Sequence, residues 1–264
     1  MKLTRPSEVR ALLEQLSFTP SKALGQNFLI DGNILDLLVD TAAPSKDDTV
    51  AEVGPGLGVL TGVLLERAGR VVAFEKDDVL APHLATLFAD EDHFELHHTD
   101  AVQVDWASLD FDLFVSNLPY SVGSRVLFDL FRETVRPRRI VVTVQKEVGD
   151  RLTASPGGKA FGLLSVCAQA AYAVKRVKII KPTCFMPPPR VDSAIVLFER
   201  HDTPRADTNE RFRKTVKRCF SARRKTMKRI FKDAGWNLPE DFDSQRRPET
   251  LSIEEWDTIV KQRG

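Results

Sequence analysis

Thr49-Val50-Ala51-Glu52-Val53-Gly54-Pro55-Gly56-Leu57-Gly58 runs from an apolar, β-branched stretch into three alternating glycines, and a helical pattern follows from Leu57 to Ala68. Glycines at such a strand-to-helix turn adopt backbone angles closed to other residues and let a bound molecule approach the main chain. Taken alone, the turn also fits a ligand-free tight turn or the related turn of nicotinamide and flavin enzymes. Its neighbours narrow the choice. A second strand, Arg70–Glu75, ends on an acid about 20 residues beyond the turn, where a carboxylate can accept hydrogen bonds from both hydroxyls of a ribose. The glycine spacing is G-x-G-x-G rather than G-x-G-x-x-G, and Pro55 removes an N–H that a pyrophosphate would need. A nucleoside cofactor without phosphate, S-adenosylmethionine, fits that combination.

Outward from this turn, strand and helix signals alternate across residues 45–200, the pattern of a parallel sheet with crossover helices. Val79–Phe88 is predicted as a helix, Phe94–His98 and Phe111–Ser116 as strands, Ser121–Thr134 as a helix, and Arg139–Val144 as a strand. A helix over Phe161–Ala173 precedes two apolar or β-branched runs, Val174–Ile180 and Ser193–Phe198, expected to close the sheet as an antiparallel edge. Between them, Phe185-Met186-Pro187-Pro188-Pro189 reads as a stiff loop, since consecutive prolines exclude helix and interior strand. Helical patterns then take over at Glu210–Phe220, Arg224–Ala234 and Ile253–Lys261, the second stopped by Gly235 and the third capped by Ser252. The expected architecture is α/β: a Rossmann-like sheet with an antiparallel edge over residues 1–200, then a small all-helical domain over 201–264.

Asp100 follows the third strand, where a loop at the carboxyl edge of the sheet reaches the same crevice and a carboxylate can accept from an adenine amine. By itself it is equally an ordinary helix cap or turn aspartate; the series Gly54, Glu75, Asp100 favours binding. The most diagnostic stretch is Asn117-Leu118-Pro119-Tyr120, directly after the fourth strand. Methyl transfer to an exocyclic amine is an in-line displacement at a sulfonium by a nitrogen whose lone pair is delocalised into the ring. The Asn117 side-chain oxygen and a nearby backbone carbonyl can accept both N–H bonds and turn the lone pair towards the methyl group; Leu118 belongs to the same catalytic stretch. Tyr120 offers a flat surface to an extruded base and stabilises the developing positive charge. Pro119 stiffens the turn, and no general base is required because the proton can leave afterwards. The competing reading is a strand exit with Asn and Pro as turn formers and Tyr half-buried. The glycine turn about 60 residues upstream favours chemistry, because one sheet edge then carries cofactor and acceptor side by side. Phe185 is a candidate for the opposite wall of the base pocket, facing Tyr120, although an aromatic beside prolines also packs in cores.

The overall charge of +1 conceals an uneven distribution. Residues 201–264 carry 16 Lys or Arg against 11 Asp or Glu, and the stretch 211–232 has eleven basic side chains with no acid. Such a stripe points to a polyanion, and Ser221-Ala222-Arg223-Arg224-Lys225-Thr226 with Lys228 and Arg229 is read as phosphate contacts rather than a solvated helix face. Three scattered cysteines without C-x-x-C spacing support neither a zinc site nor a disulfide framework, and a reducing compartment follows. No signal-peptide core and no run of roughly 20 apolar residues is present, so a cytoplasmic protein that does not enter the membrane is expected.

Taken together, these residues resemble the small-subunit ribosomal RNA adenine dimethyltransferases of the KsgA type over nearly the whole chain. The matching segments are LGQNFL (24–29), VAEVGPGLGVLT (50–61), Asp100-Ala101, NLPY (117–120), VQKEVGDRL (144–152), FMPPPRVDSA (185–194), FSARRKT (220–226) and RPETLSIEEW (247–256). The resemblance implies a monomeric enzyme that uses S-adenosylmethionine to dimethylate the N6 amines of two adjacent adenines in a 3′-terminal hairpin of small-subunit (16S) ribosomal RNA, within a pre-ribosomal particle. It also implies that residues 1–45 cover the cofactor, with Asn27 and Leu29 joining Gly54, Glu75 and Asp100 in its pocket and Asn117 touching it. Lys22-Ala23 and Ser121 depart from the residues frequent in the family, which bears on fine RNA contacts only. Two rivals are a large-subunit adenine methyltransferase of the macrolide-resistance type, which the C-terminal motifs disfavour, and a non-catalytic RNA-binding assembly factor, which predicts loss of Glu75, Asp100, Asn117 or Tyr120. A dinucleotide-dependent oxidoreductase comes third, because no hydride transfer needs NLPY.

Overall fold

The computed structural model describes residues 5–21, 25–132, 134–135 and 137–263; Lys22, Ala23 and Leu24 of the N-terminal motif lie outside the described residues. The chain begins with helix α1 (Pro6–Gln15), which places Val9, Leu12 and Leu13 on one buried face, and a two-residue strand β1 (Phe28–Leu29). Helix α2 (Gly32–Ala42) is capped by the Asp31 carboxylate, which accepts from the N–H groups of Asn33 and Ile34. Then come β2 (Thr49–Val53), α3 (Val59–Arg67), β3 (Arg70–Glu75), α4 (Leu80–Leu87), β4 (Phe94–His98), β5 (Leu113–Asn117), α5 (Gly123–Leu130) and β6 (Arg139–Gln145). Strands β2, β3, β4, β5 and β6 pair in parallel; the near-continuous burial of β2, β3, β5 and β6 matches strands covered on both faces, while β4, at the edge of the sheet, is only partly buried.

Helices α6 (Lys146–Leu152) and α7 (Leu163–Ala171) lead into β7 (Tyr172–Ile180), β8 (Phe185–Met186) and β9 (Ser193–Arg200). The seven-stranded sheet has the order β4-β3-β2-β5-β6-β9-β7. Its last two strands form the expected antiparallel edge: the N–H of Lys146, just past β6, donates to Asp192 just before β9, and that of His201, just past β9, donates to Ala171 just before β7. One departure concerns the proline-rich segment. Phe185 and Met186 are not loop but strand β8, pairing antiparallel with β1 (Phe28↔Met186, Leu29↔Phe185), because only the residues from Pro187 onward lack the N–H that a ladder needs. On one side of the large sheet, Leu35, Leu38 and Val39 of α2 and Leu60 and Leu64 of α3 share a buried cluster with Val50, Leu113, Val115 and Val141.

Three further helices complete the chain: α8 (Glu210–Ser221), α9 (Met227–Ala234) and α10 (Ile253–Gln262). Asn209 caps α8, Gly235 ends α9 in the left-handed conformation, and Ser252 with Glu255 forms a reciprocal capping box on α10. Helix α9 begins at Met227 rather than Arg224; Ala222 to Lys225 form a turn, closed by the Lys225 N–H on the Ala222 carbonyl at 2.8 Å.

Two compact units result, and they are not separated by one cut at residue 200. The first comprises the chain up to Leu127, Pro137–Gly149 and Lys175–Phe198; the second comprises Phe128–Arg136, Asp150–Val174 and the chain from Glu199 onward. The physical reason is burial: Phe161, Val166 and Ala170 lie in one cluster with Phe212, Val216, Ile230 and Trp256, and the Arg213 guanidinium donates to the Phe128 carbonyl at 2.8 Å while covering the Phe128 ring.

Glu52 on β2 is buried, its Oε2 accepting from Thr61 Oγ1 at 2.7 Å, and burial pushes its carboxyl up to about 8. At neutral pH the folded protein therefore holds a proton that the unfolded chain has released. Stability is expected to fall as pH rises from the ordinary glutamate value of 4.5 towards 8, by up to about 1.4 kcal/mol per pH unit. Glu52→Gln should flatten that slope in urea denaturation series between pH 5 and 8; an unchanged slope would mean that Glu52 is ionised in the fold.

Candidate active site

The loops leaving the carboxyl ends of β2, β3, β4 and β5 line a single cavity of about 230 Å³, joined by the segment Gly25–Leu29. Strand β2 has β3 on one side and β5 on the other, so the cavity opens where the strand order reverses, the place at which parallel sheets bind ligands.

At the end of β2 the chain turns through Gly54 and Gly56 at φ of +66° and +62°. A Cβ on Gly54 would stand 2.7 Å from Cγ of Pro119, and one on Gly56 would stand 3.0 Å from the Phe28 ring. The turn is thus in direct contact with the NLPY stretch on one side and with the N-terminal segment on the other. Glu75 braces it from β3. Its Oε2 accepts from the Gly56 N–H at 3.1 Å, while Oε1 accepts from the N–H groups of Lys76 and Asp77. Burial raises the Glu75 carboxyl above its usual value, and these three N–H groups partly offset that.

Asp100 lies across the mouth of the cavity, its Oδ2 paired with the Lys76 ammonium at 2.7 Å and its Oδ1 accepting from the Val102 N–H at 3.0 Å. The lysine first and that N–H second hold its carboxyl below the usual aspartate value. Lys76 was not legible as a site residue, although it directly follows Glu75 in sequence. Asp100 keeps unused lone pairs on both oxygens, the requirement for a base amine.

Asn117, the last residue of β5, donates from Nδ2 to the main-chain carbonyl of Asn27 at 3.0 Å. Only the nitrogen of an amide can donate, so this bond fixes which way the side chain is turned and leaves Oδ1 for an incoming donor. Asn27 in turn donates its own amide to the Gly25 carbonyl, and Gln26 donates to Asp77 Oδ2 at 3.1 Å, tying the segment to both sides of the cavity. Leu29 and Leu118 are buried wall residues, and Tyr120 lies half-buried in the wall with its phenol hydrogen-bonded to Ser193. Burial raises the Tyr120 hydroxyl above its usual value, so it is a neutral phenol.

Eight of the residues named from sequence, Asn27, Leu29, Gly54, Glu75, Asp100, Asn117, Leu118 and Tyr120, therefore meet around one cavity. Phe185 does not. It is 2% exposed, sits in the core cluster with Leu29, Leu35 and Ile195, and is absent from the cavity wall, because pairing with β1 carries its side chain into the interior. The expected sandwich against Tyr120 is corrected accordingly. Ser193 lies in the segment FMPPPRVDSA, but its contact with Tyr120, across 73 positions, was not legible in the sequence.

In the second unit Arg223, Arg224 and Lys225 occupy the turn before α9 and Lys228 and Arg229 its first turns. Arg223 pairs with Glu249 at 3.7 Å, and Lys225 and Arg229 share Asp233 at 3.1 and 3.0 Å. Arg224 and Lys228 are exposed and have no acidic partner among the described residues. Also among the described residues, no cluster of His, Cys, Asp and Glu suits a metal ion, and no helix is long and apolar enough to cross a membrane.

Comparison with known proteins agrees with this geometry. The model of the ribosomal RNA adenine dimethylase family matches residues 18–262. Among curated proteins, "Ribosomal RNA small subunit methyltransferase A" of Geobacter metallireducens is 40% identical, covering 91% of this chain and 94% of its own length. The protein of the same name from Clostridium acetobutylicum is 38% identical, covering 94% and 95%. Among solved structures, a dimethyladenosine transferase from Plasmodium falciparum superposes with a TM-score of 0.71 at 23% identity, covering 87% of this chain and 94% of that one. The 23S rRNA methyltransferase ErmE gives 0.68 at 23%, covering 89% and 98%. Those two likenesses show the fold, a Rossmann-like methyltransferase sheet. With a family match over nearly its full length and relatives this similar, the chain belongs to the ribosomal RNA adenine dimethylase family.

Proposed function

We propose that this chain dimethylates the N6 amines of two adjacent adenines in a hairpin near the 3′ end of small-subunit (16S) ribosomal RNA. The observation that carries the reading is the Asn117 amide, turned by the Asn27 carbonyl so that its oxygen faces an incoming amine. S-adenosylmethionine, when bound, supplies a methyl group on a positively charged sulfur. The cavity fits it: glycines allow close approach, Glu75 can accept from ribose hydroxyls, Asp100 from the adenine amine, and Asn27, Leu29 and Gly54 complete the walls. On the acceptor side, Asn117 Oδ1 and a backbone carbonyl of the same turn take the N–H bonds of the target amine. Its lone pair is thereby directed at the methyl group. Tyr120, a neutral phenol in the wall, offers its ring to the base and stabilises the cationic product before the proton is lost. The two relatives named for small-subunit methylation support the choice of RNA.

RNA is held by the second unit. Arg224 and Lys228 meet phosphates directly, and Arg223, Lys225 and Arg229 exchange their carboxylate partners for phosphates. A monomer acting in the cytoplasm on a pre-ribosomal particle completes the reading.

Three outcomes follow. Incubation with labelled S-adenosylmethionine and unmethylated small ribosomal subunits should give N6-dimethyladenine near the RNA 3′ end by primer extension, and Asn117→Ala should lower kcat by about 10²–10³-fold. Label confined to the large subunit would favour the macrolide-resistance reaction instead. Binding of S-adenosylhomocysteine, followed by calorimetry, should weaken as pH falls through the raised Glu75 value, since only the ionised carboxylate accepts both ribose hydroxyls. Glu75→Gln should weaken binding roughly tenfold or more at neutral pH and lose this pH dependence. Finally, replacing Arg224 and Lys228 together by Ala should weaken RNA binding and reduce the slope of log K against log salt by about 2, with no change in S-adenosylhomocysteine affinity.

A further inference from the structure

Ser193, at the start of β9, is 0% exposed and falls within the segment FMPPPRVDSA, where no chemical role was read for it. Its hydroxyl meets the phenol of Tyr120, and among the described residues neither hydroxyl has another hydrogen-bond partner. Tyr120 is consequently held at two points: its main chain lies against Gly25, where a Cβ would come within 3.1 Å of the Tyr120 nitrogen, and its ring tip is tethered to a β-strand of the sheet. A phenolic O–H lies by preference in the plane of its ring, so a partner held on the strand favours one orientation of that ring. We propose that Ser193 is a positioning residue that sets the plane of the Tyr120 ring, and that this matters most for the second of the two methyl transfers.

The reason lies in the count of N–H bonds on the acceptor. An unmodified adenine amine carries two, and Asn117 Oδ1 together with a backbone carbonyl can engage both, so hydrogen bonds alone orient the nitrogen. After one transfer the amine carries a single N–H and a methyl group. One of the two acceptors then loses its donor, and rotation about the bond between ring and amine is restrained at one point instead of two. The aromatic platform, which contacts the base whatever its methylation state, takes a larger share of the aiming. A tilted or mobile Tyr120 ring therefore penalises the second transfer more than the first. No proton moves between Ser193 and the substrate: the serine acts through Tyr120 only. The neutral state of the phenol agrees with this, since it can both donate to and accept from Ser193.

The inference rests on the dimethylation reading above, and its test separates the two. Wild type, Ser193→Ala, Tyr120→Phe and the double variant would be incubated with S-adenosylmethionine and unmethylated small subunits, and N6-monomethyl- and N6,N6-dimethyladenosine quantified over time by mass spectrometry of nuclease digests. The expected result for Ser193→Ala is accumulation of the monomethyl intermediate, from a second step slowed roughly two- to tenfold, the range for loss of one neutral hydrogen bond. The first step should change less, and S-adenosylhomocysteine affinity should not change. Tyr120→Phe removes the same bond while leaving Ser193 in the core, so it should reproduce the effect even where the serine variant folds poorly. The double variant should be no worse than either single one. Additive effects, or a monomethyl-to-dimethyl ratio equal to wild type in both single variants, would overturn the role of Ser193. Absence of any N6-methylated adenosine with the wild-type protein would instead overturn the dimethylation reading.

Discussion

The site depends on the absence of one carbon atom. Between the turn at Gly54 and the ring of Pro119 there is no room for a Cβ, so the glycine turn and the Asn117–Tyr120 stretch, the proposed donor and acceptor sides of the cavity, lie in van der Waals contact. A methyl transfer needs its nucleophile, carbon and leaving sulfur nearly in line and within a few tenths of an ångström of contact. Distance between the two half-sites is therefore set by the backbone of two adjacent strands, β2 and β5, rather than by flexible side chains. The hydrogen bond from Ser116 Oγ to the Val53 carbonyl, one residue before each segment, secures the same spacing. Any residue other than glycine at 54 would push donor from acceptor before it disturbed anything else.

Three carboxyl groups share this cavity, and their surroundings shift them differently. Glu52, deepest and paired only with a threonine, holds its proton. Glu75, nearly as deep, is supported by three main-chain N–H groups that favour the ionised form against the cost of burial. Asp100, at the rim beside Lys76, is ionised outright. The gradient follows the availability of donors, not depth alone. A protonated Glu52 lowers the repulsion among carboxylates within this small volume.

Much of this was legible in the sequence where function is written in short, contiguous stretches. Gly54-Pro55-Gly56, Glu75, Asp100 and Asn117 to Tyr120 each declare themselves by residue type at a strand end, and parallel topology brings all strand ends of one kind to one edge. What stayed hidden depends on partners far along the chain. Phe185 looked like a pocket wall beside its prolines, yet pairing with Leu29 took it into the core. The turn at Ala222 to Lys225 contains neither glycine nor proline, so the break after Phe220 was legible but the next helix was begun three residues early, at Arg224 rather than Met227. The division into two units eluded a linear reading because Phe128–Arg136 and Asp150–Val174 belong with helices more than thirty residues downstream of them, through burial that no local pattern announces.

The carbonyl that turns Asn117 belongs to the main chain of Asn27. It is the same atom whatever side chain residue 27 carries, so substitution there can alter the shape of the pocket without removing the anchor. The orientation of the Asn117 amide is thereby insulated from drift at the residue that supplies the anchor, and an alignment column for position 27 would report on the shape of the cavity wall while saying nothing of that bond. Selection can reach that bond only by moving the backbone: through the neighbours that fix its path, Gly25 against the start of α5 and Phe28 in its ladder with Met186. Variation in that geometry among related chains would then be recorded in residues that set a backbone path rather than in the one whose carbonyl makes the bond.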